Sequence, residues 1–431
     1  MNSELNKKSY LKWYIWGILC LCYTAVLFQR YVMGVVQNDI ISDFHLTNEA
    51  FANIGAAYFY AYVFMQIPTG ILVDTIGTKL TSSGGMLLAG LGSIIFSLAN
   101  SFGAAFSGRL IAGIGLSVIF ICVIKTITIW FDQKFIATLL GLTILIGSSG
   151  GMFSQTPLII ALKYITWREF FSIFGIVCLI LSVCLFIILG QKNDRQEPAK
   201  NENNSSILNQ LFLVIKNKHT WPPFIMFMGV FGAVFAITGI WGPKIFCSYP
   251  GITKVLGVNI AMSGLAGNAI GMLLSGMISD KLGKRKLPLL ISCFVHFVLW
   301  IVLIFYGKSL GYINLCILVF LIGAFSSIAG VACVVGKEVN NPVFSGMSTS
   351  IVNAGGFVGA IIIPIAMGAY FDKNVNADPN NALYICFVGA VVALIASAFI
   401  KETNCQNILN TKDELLIEKK EKVEIEVEAA V

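Results

Sequence analysis

The chain alternates long apolar runs with short polar breaks. An apolar run of about 20 residues is the length that crosses a bilayer as a helix. Twelve such runs can be placed, at 13–36, 50–73, 80–99, 103–130, 135–162, 168–190, 221–246, 257–279, 286–306, 310–336, 343–371 and 381–400. The first begins near Trp13 and lacks a small-residue cleavage pattern, so it reads as a retained span rather than a removed leader. One long polar stretch, 191–218, interrupts the series. It contains Asn201-Glu202-Asn203-Asn204-Ser205-Ser206 and several Lys, and it reads as a cytoplasmic linker between a six-helix bundle at 1–190 and a second at 219–400. The Glu- and Lys-rich tail 401–431 reads as cytoplasmic, either a solvated helix or unstructured. The expected fold is an all-α membrane protein with twelve transmembrane helices in two pseudo-symmetric six-helix bundles.

Composition agrees with that pattern. The chain is 57% hydrophobic and 12% charged, whereas a soluble domain carries about 25% charged residues. The net charge of +7 is not a nucleic-acid footprint, because Lys and Arg sit between the apolar runs. Most of the 29 Lys and Arg fall on one face if both termini are placed in the cytoplasm, as the positive-inside bias requires. The eleven Cys show no CxxC or Cys/His metal spacing, and Cys20 and Cys22 sit within a span as packing residues. With no catalytic triad, phosphate loop or metal cluster, the chain reads as a non-enzyme without a cofactor.

One short pattern occurs twice. Gly70, Asp74, Gly77 and Lys79 follow the second run; Gly276, Asp280, Gly283 and Arg285 follow the eighth, about half the chain later. Such spacing reads as a duplicated architecture. The glycines are expected to let helix ends approach and turn, and the Asp with the following basic residue to form a gating latch. The fifth run carries Gly147, Gly151 and Pro157; the eleventh carries Gly356 and Pro364, again half the chain apart. Small residues permit close helix contact and Pro permits a bend, so these read as hinges or as plain tight packing.

Charges at membrane depth are expensive and call for a partner, a cavity or the interface. Arg30 is either an anion or carboxylate ligand in a forked geometry, or a partner of Asp39 or Asp43, or a snorkelling residue. Arg109, followed by Gly113 and Gly115, is either a coupling residue or a structural pin. Lys125 near the end of the fourth run, with Lys337 and Glu338 at the end of the tenth, is either part of a solute site or part of a gate. Glu338 is the best-placed carboxylate for proton binding, unless it is simply solvated, and His296 reads as a packing residue. Polar candidates for a central cavity are Gln29, Gln66, Gln155, Asn268 and Asn353; Tyr58, Tyr60, Tyr62 and Trp241 are candidate walls, although aromatic residues at helical spacing are more often core.

The duplicated Gly/Asp pattern, Arg109 with Gly113, and Gly147 to Gly151 with Pro157 resemble signatures of the major facilitator superfamily. Thr75 and Thr78 stand where that family often has basic residues, which weakens the first latch. Lys125 with Trp130-Phe131, and Lys337-Glu338 with Asn340-Asn341-Pro342, Gly346 and Asn353, are similar to the phagosomal-transporter group of intracellular bacteria, several members of which import amino acids. The resemblance implies one central site reached alternately from each face, no bound cofactor, and a complete pathway in a monomer of the bacterial inner membrane. The expected function is proton-coupled import of a small polar metabolite, first an amino acid. An organic-anion carrier or exchanger using Arg30 and Lys125 is the alternative, with a drug or siderophore exporter third.

Overall fold

The computed structural model describes residues 2–132, 135–189 and 207–409. Lys134, most of the expected linker and the tail from 410 onward lie outside the described residues. Among the described residues, eleven helices are long and apolar enough to cross a membrane: Leu11–Tyr31, Gly77–Ser97, Phe102–Trp130, Thr138–Ala161, Trp167–Ile188, Lys218–Ile240, Lys254–Leu282, Lys286–Ser309, Tyr312–Glu338, Pro342–Lys373 and Pro379–Ala398. A bent pair, Asn48–Met65 with Pro68–Thr75, supplies a twelfth. Its 60° bend falls just before Pro68, where a proline cannot donate to the preceding turn. In chain order these are spans 1 to 12, the bent pair being span 2.

The packing repeats with an offset of six spans. Span 3 lies against span 6, span 2 against span 4, and span 1 against span 5; in the second half span 9 lies against span 12, span 8 against span 10, and span 7 against span 11. Glycine sets how closely these pairs meet. A Cβ on Gly323 in span 10 would stand 2.0 Å from the Gly264 carbonyl oxygen of span 8. Across the halves, span 2 packs along span 11, and span 5 meets span 8.

The duplicated pattern closes turns differently from the sequence expectation. Gly77 and Gly283 take positive φ values of 85° and 61°, a region that side chains with a Cβ rarely enter. They start the helix after the first turn and end the one before the second. Gly70 and Gly276 face open space, so the expected close approach does not occur there. The N-terminus and both these turns share one end of the bundle, here the near end; the opposite end is the far end.

Candidate functional site

Contacts between halves gather at the far end. The Asp372 carboxylate, at the end of span 11, accepts hydrogen bonds from the Asn48 backbone N–H (2.8 Å), the Asn48 side-chain amide (2.7 Å) and the Glu49 backbone N–H (2.8 Å). It therefore caps the first turn of span 2 from the other half, where helix N–H groups lack partners. Lys244 donates to the Asn48 Oδ1 (2.7 Å) and lies 4.3 Å over the Phe371 ring. Thr156 donates to Asn259, and the Gln155 amide donates to the carbonyls of Tyr31 (3.0 Å) and Thr238 (3.5 Å). Trp241 is buried, packs on Phe51 and Phe371, and donates to the Pro364 carbonyl (2.8 Å). Just before it, Ala236–Ile240 winds as one wide π-turn. Gln155 and Trp241, expected in the solute site, stand instead in this seal: the Gln155 amide N–H and the Trp241 indole N–H donate to backbone carbonyls, and the Gln155 Oε1 is buried without a partner.

On the near-end side of that seal lies a cavity of about 250 Å³ between the halves. Spans 1, 2, 4 and 5 line it with Arg30, Tyr62, Gln66 and Ser148 among others; spans 7, 8, 10 and 11 contribute Phe227, Asn268, Ser326, Asn353 and Phe357. Among the described lining residues, Arg30 is the one group charged at neutral pH. Its guanidinium sits 5.2 Å from the Tyr62 ring centroid and 5.4 Å from that of Phe357, one ring from each half. Its Nε–H is buried without an acceptor. Asp43, a sequence candidate for its partner, instead pairs with Arg168 at 3.6 Å and accepts from Trp167 at 2.8 Å.

Around Arg30 the polar groups divide by what they can still offer. The hydroxyls of Thr69, Ser117, Ser148 and Ser327 each donate to a backbone carbonyl of their own helix, which leaves oxygen lone pairs toward the cavity. The Asn268 amide donates to Ser326 (3.0 Å). The side chains of Gln66 and Asn353 line the cavity and form no hydrogen bond with a described residue. The site thus offers one fixed cation, two free amides, several hydroxyl acceptors and the tyrosines Tyr23, Tyr31 and Tyr62 on an otherwise apolar wall.

The remaining charged candidates lie elsewhere. Lys125 does not line the cavity: it forms an ion pair with Asp74, joining span 4 to the end of span 2. Lys79, the expected latch partner of Asp74, lies over the Phe186 ring (4.4 Å). Asp280 pairs with Arg285 (2.6 Å). Arg285 also donates from Nη2 to Glu338 (3.0 Å), and Thr403 donates to the same carboxylate (2.5 Å). Glu338 is therefore buried and tied rather than solvated. Lys337 is exposed, and its carbonyl accepts from Asn407 (3.2 Å). Lys125, Lys337 and Glu338 do not meet, since each is held within its own half. The start of the tail, expected to be solvated or unstructured, packs here as well: Glu402 accepts from the backbone N–H groups of Arg285 (2.8 Å), Lys286, Thr403 and Asn404 (3.0 Å each). Partial burial pushes the Glu402 carboxyl up, but these backbone donors outweigh it and hold the carboxyl below its ordinary range.

Arg109 is 1% exposed and pins span 4 to span 1. It donates to the Gln29 side-chain oxygen and, at 3.1 Å, to the Gln29 carbonyl, while Gln29 donates to Ser93 (2.9 Å). Gln29 thus faces into the first bundle, away from the cavity. The Tyr58 ring lies beside Arg109, and its hydroxyl donates to the Val26 carbonyl (3.1 Å), so Tyr58 is bundle core as well. Tyr60 bonds Asn53 (3.3 Å). His296 accepts from Trp300 (2.8 Å) in a buried packing pair. Of the hinge candidates, Gly151 lines the cavity, and span 5 breaks at Ser154–Gln155 before Pro157. Gly147 packs on the Tyr23 ring and Gly356 on the Phe227 ring, whereas the helix of span 11 continues through Pro364.

Known proteins share this fold. The chain is 23% identical over 192 residues to a galacturonate transporter of Dickeya chrysanthemi, spanning 56% of that relative's length and 44% of its own. It is 22% identical to a probable galactarate/D-glucarate transporter of Escherichia coli, over 92% of this chain and 96% of that one. A hexuronate transporter of Escherichia coli is 24% identical over 48% of this chain and 47% of the relative. Among solved structures, a bacterial homolog of the human lysosomal transporter Spinster, inward-facing and unoccupied, superimposes with a TM-score of 0.71 at 16% identity, covering 90% of this chain and 96% of that one. A D-xylose-proton symporter gives 0.68 at 16% identity, covering 91% and 99%. The family model of the Major Facilitator Superfamily matches residues 19–338. With that match over most of its length, twelve spans paired at an offset of six and a cavity between the halves, the chain belongs to the Major Facilitator Superfamily and is a secondary transporter.

Proposed function

We propose that this protein carries small polyhydroxylated carboxylates, of the sugar-acid kind, by alternating access. The observation that carries the reading is Arg30: a lone cation in the cavity, with a buried Nε–H lacking an acceptor. A guanidinium binds carboxylate through two parallel hydrogen bonds. Gln66, Asn353 and the serine and threonine oxygens then face the hydroxyl groups of the same solute. One cation matches one carboxylate, which favours a uronate or aldonate over a dicarboxylate. The names of the relatives support the sugar-acid class: galacturonate and hexuronate are monocarboxylates, while galactarate and D-glucarate are dicarboxylates.

The amino-acid reading has less support. An ammonium group needs a carboxylate or a similar acceptor set, and no carboxylate stands among the described lining residues. An exporter of bulky compounds fits poorly, because the cavity lies below the roughly 300 Å³ at which drug-sized pockets begin. The sealed far end is assigned to the periplasmic side, which places both termini and the duplicated turns in the cytoplasm and makes the described state open inward. The bundles at 1–190 and 219–400 then rock about the far-end contacts and the break in span 5. A thermal-shift screen of purified protein tests the reading. Galacturonate or glucuronate is expected to raise the melting temperature, as any ligand that binds only the folded state must. Stabilisation by amino acids alone, with none by acids, overturns it.

A further inference from the structure

Among the described residues, the cavity holds a cation without a counter-ion and no carboxylate lines it. Among the described residues Glu338 is the one buried carboxylate, and it is consumed by Arg285 and Thr403 at the near end. The other buried arginine, Arg109, is held by the neutral amide of Gln29 and not by an acid. His296 is paired with Trp300 in the second bundle and does not line the cavity. The titratable groups around Arg30 are the phenols of Tyr23, Tyr31, Tyr58 and Tyr62, whose ordinary pKa near 10 keeps them neutral at physiological pH.

From this we infer that the carrier works as an obligatory anion exchanger that does not draw on the proton gradient. The inference rests on the carboxylate reading of Arg30. In the described state Arg30 is only partly buried, so solvent reaches part of its side chain while its Nε–H stays buried. To change faces, the halves must pass through a form closed at both ends, and there Arg30 loses that water. An unpaired charge in such a place is strongly unfavourable. A bound monocarboxylate supplies the missing charge, so the loaded form is neutral and crosses readily. The empty form keeps a bare cation and crosses slowly. A proton-driven carrier escapes this limit by means of an internal acid that neutralises the arginine when the site is vacant; none of the described residues is placed to do so. Net uptake is therefore limited by the return of the empty carrier, and a second anion on the opposite face removes the limit. Exchange of one monoanion for another moves no net charge and no proton.

The test uses the full-length protein reconstituted in liposomes, with radiolabelled galacturonate as probe. A thermal-shift measurement with galacturonate and glucuronate comes first; if neither stabilises the protein, the carboxylate reading and the exchange mode fall together. Given binding, uptake is compared between vesicles preloaded with unlabelled galacturonate and empty vesicles, at equal pH on both sides. Preloading is expected to speed uptake about tenfold or more, the factor that each ~1.4 kcal/mol of barrier is worth. Inside-alkaline pH and an imposed potassium diffusion potential should leave exchange unchanged. Accumulation in empty vesicles driven by the inside-alkaline gradient, and abolished by a protonophore, overturns the exchange mode while leaving the carboxylate site intact. Equal rates with and without preloading overturn it too.

Discussion

Replacing Arg30 by Gln removes the cavity's charge while keeping a side chain that can still hydrogen-bond. Hydrogen bonds to a charged group contribute about 1.5–3 kcal/mol each, so loss of two parallel bonds weakens carboxylate binding by at least about 3 kcal/mol. At 1.4 kcal/mol per decade, that is a rise in Kd of roughly a hundredfold or more. The fold should tolerate the change. Arg30 forms no ion pair with a described residue and its Nε–H has no acceptor, so its removal orphans no carboxylate, and stability should shift by no more than ~1 kcal/mol. Arg30→Lys keeps the charge but loses the fork, and an intermediate loss of about tenfold is expected. Isothermal titration of wild type, R30Q and R30K with galacturonate, alongside melting curves of the three apo proteins, reads both quantities. Binding by R30Q within about threefold of wild type would remove Arg30 from the site. Collapse of apo R30Q would show that the arginine is a structural pin.

Other parts of the molecule give separate tests. Asp372→Asn weakens a cap that span 11 places on span 2; with a cap costing ~1 kcal/mol when lost, a cysteine at the far-end mouth should label several times faster in D372N, and an unchanged rate would show that the seal does not depend on this carboxylate. Glu338→Gln leaves Arg285 buried without its main counter-charge, so a loss of about 3–5 kcal/mol is expected in denaturant unfolding, and a loss below ~1 kcal/mol would mean that Asp280 compensates. Gly323→Ala puts a methyl 2.0 Å from the Gly264 carbonyl; overpacking of this kind costs about 1–3 kcal/mol, readable as a lower melting temperature, and a neutral result would show that spans 8 and 10 separate easily. The Glu402 carboxyl, held below its ordinary range by backbone donors, contributes stability above its unfolded pKa that is lost as pH falls through the depressed folded value. Wild type should therefore lose melting temperature relative to Glu402→Gln on acidification below about pH 4, and parallel curves for the two proteins would contradict that assignment.

The spans were legible because a bilayer imposes a length on each apolar run, and the half-chain repeat because the Gly/Asp pattern marks it. The facing of single side chains was not. Gln29 and Arg30 are neighbours, yet one binds Arg109 inside the first bundle and the other enters the cavity. Tyr58 and Tyr62 are one helical turn apart, yet Tyr58 faces Val26 and Tyr62 the cavity. A small rotation of a helix decides such cases, and uniform hydrophobicity around a membrane helix leaves it unmarked in the sequence. For Lys125 the solute-site and gate readings stayed open in the sequence because its partner Asp74 belongs to another span. The far-end seal was missed for the same reason: Asp372 and Asn48 sit near opposite ends of the chain and carry no local motif. Ser326 and Ser327, among the cavity's oxygens, had no signal beyond being polar within a span.

The two copies of the Gly/Asp pattern have diverged in what they fasten. In the first half, one ion pair, Asp74 with Lys125, bridges spans 2 and 4, and Asp74 is largely exposed. In the second half, Arg285 gathers Asp280 and Glu338, while Glu402 and Thr403 lash the segment after span 12 across the ends of spans 9 and 10. Sequence duplication has thus yielded mechanically unequal parts. The second bundle is bolted at its near end like the stator of a machine; among the described residues the first has there one ion pair, Asp74 with Lys125, which water reaches. A rocking stroke between them would deform the first bundle more than the second, and the compliance of the transporter would reside on the side that carries Arg30.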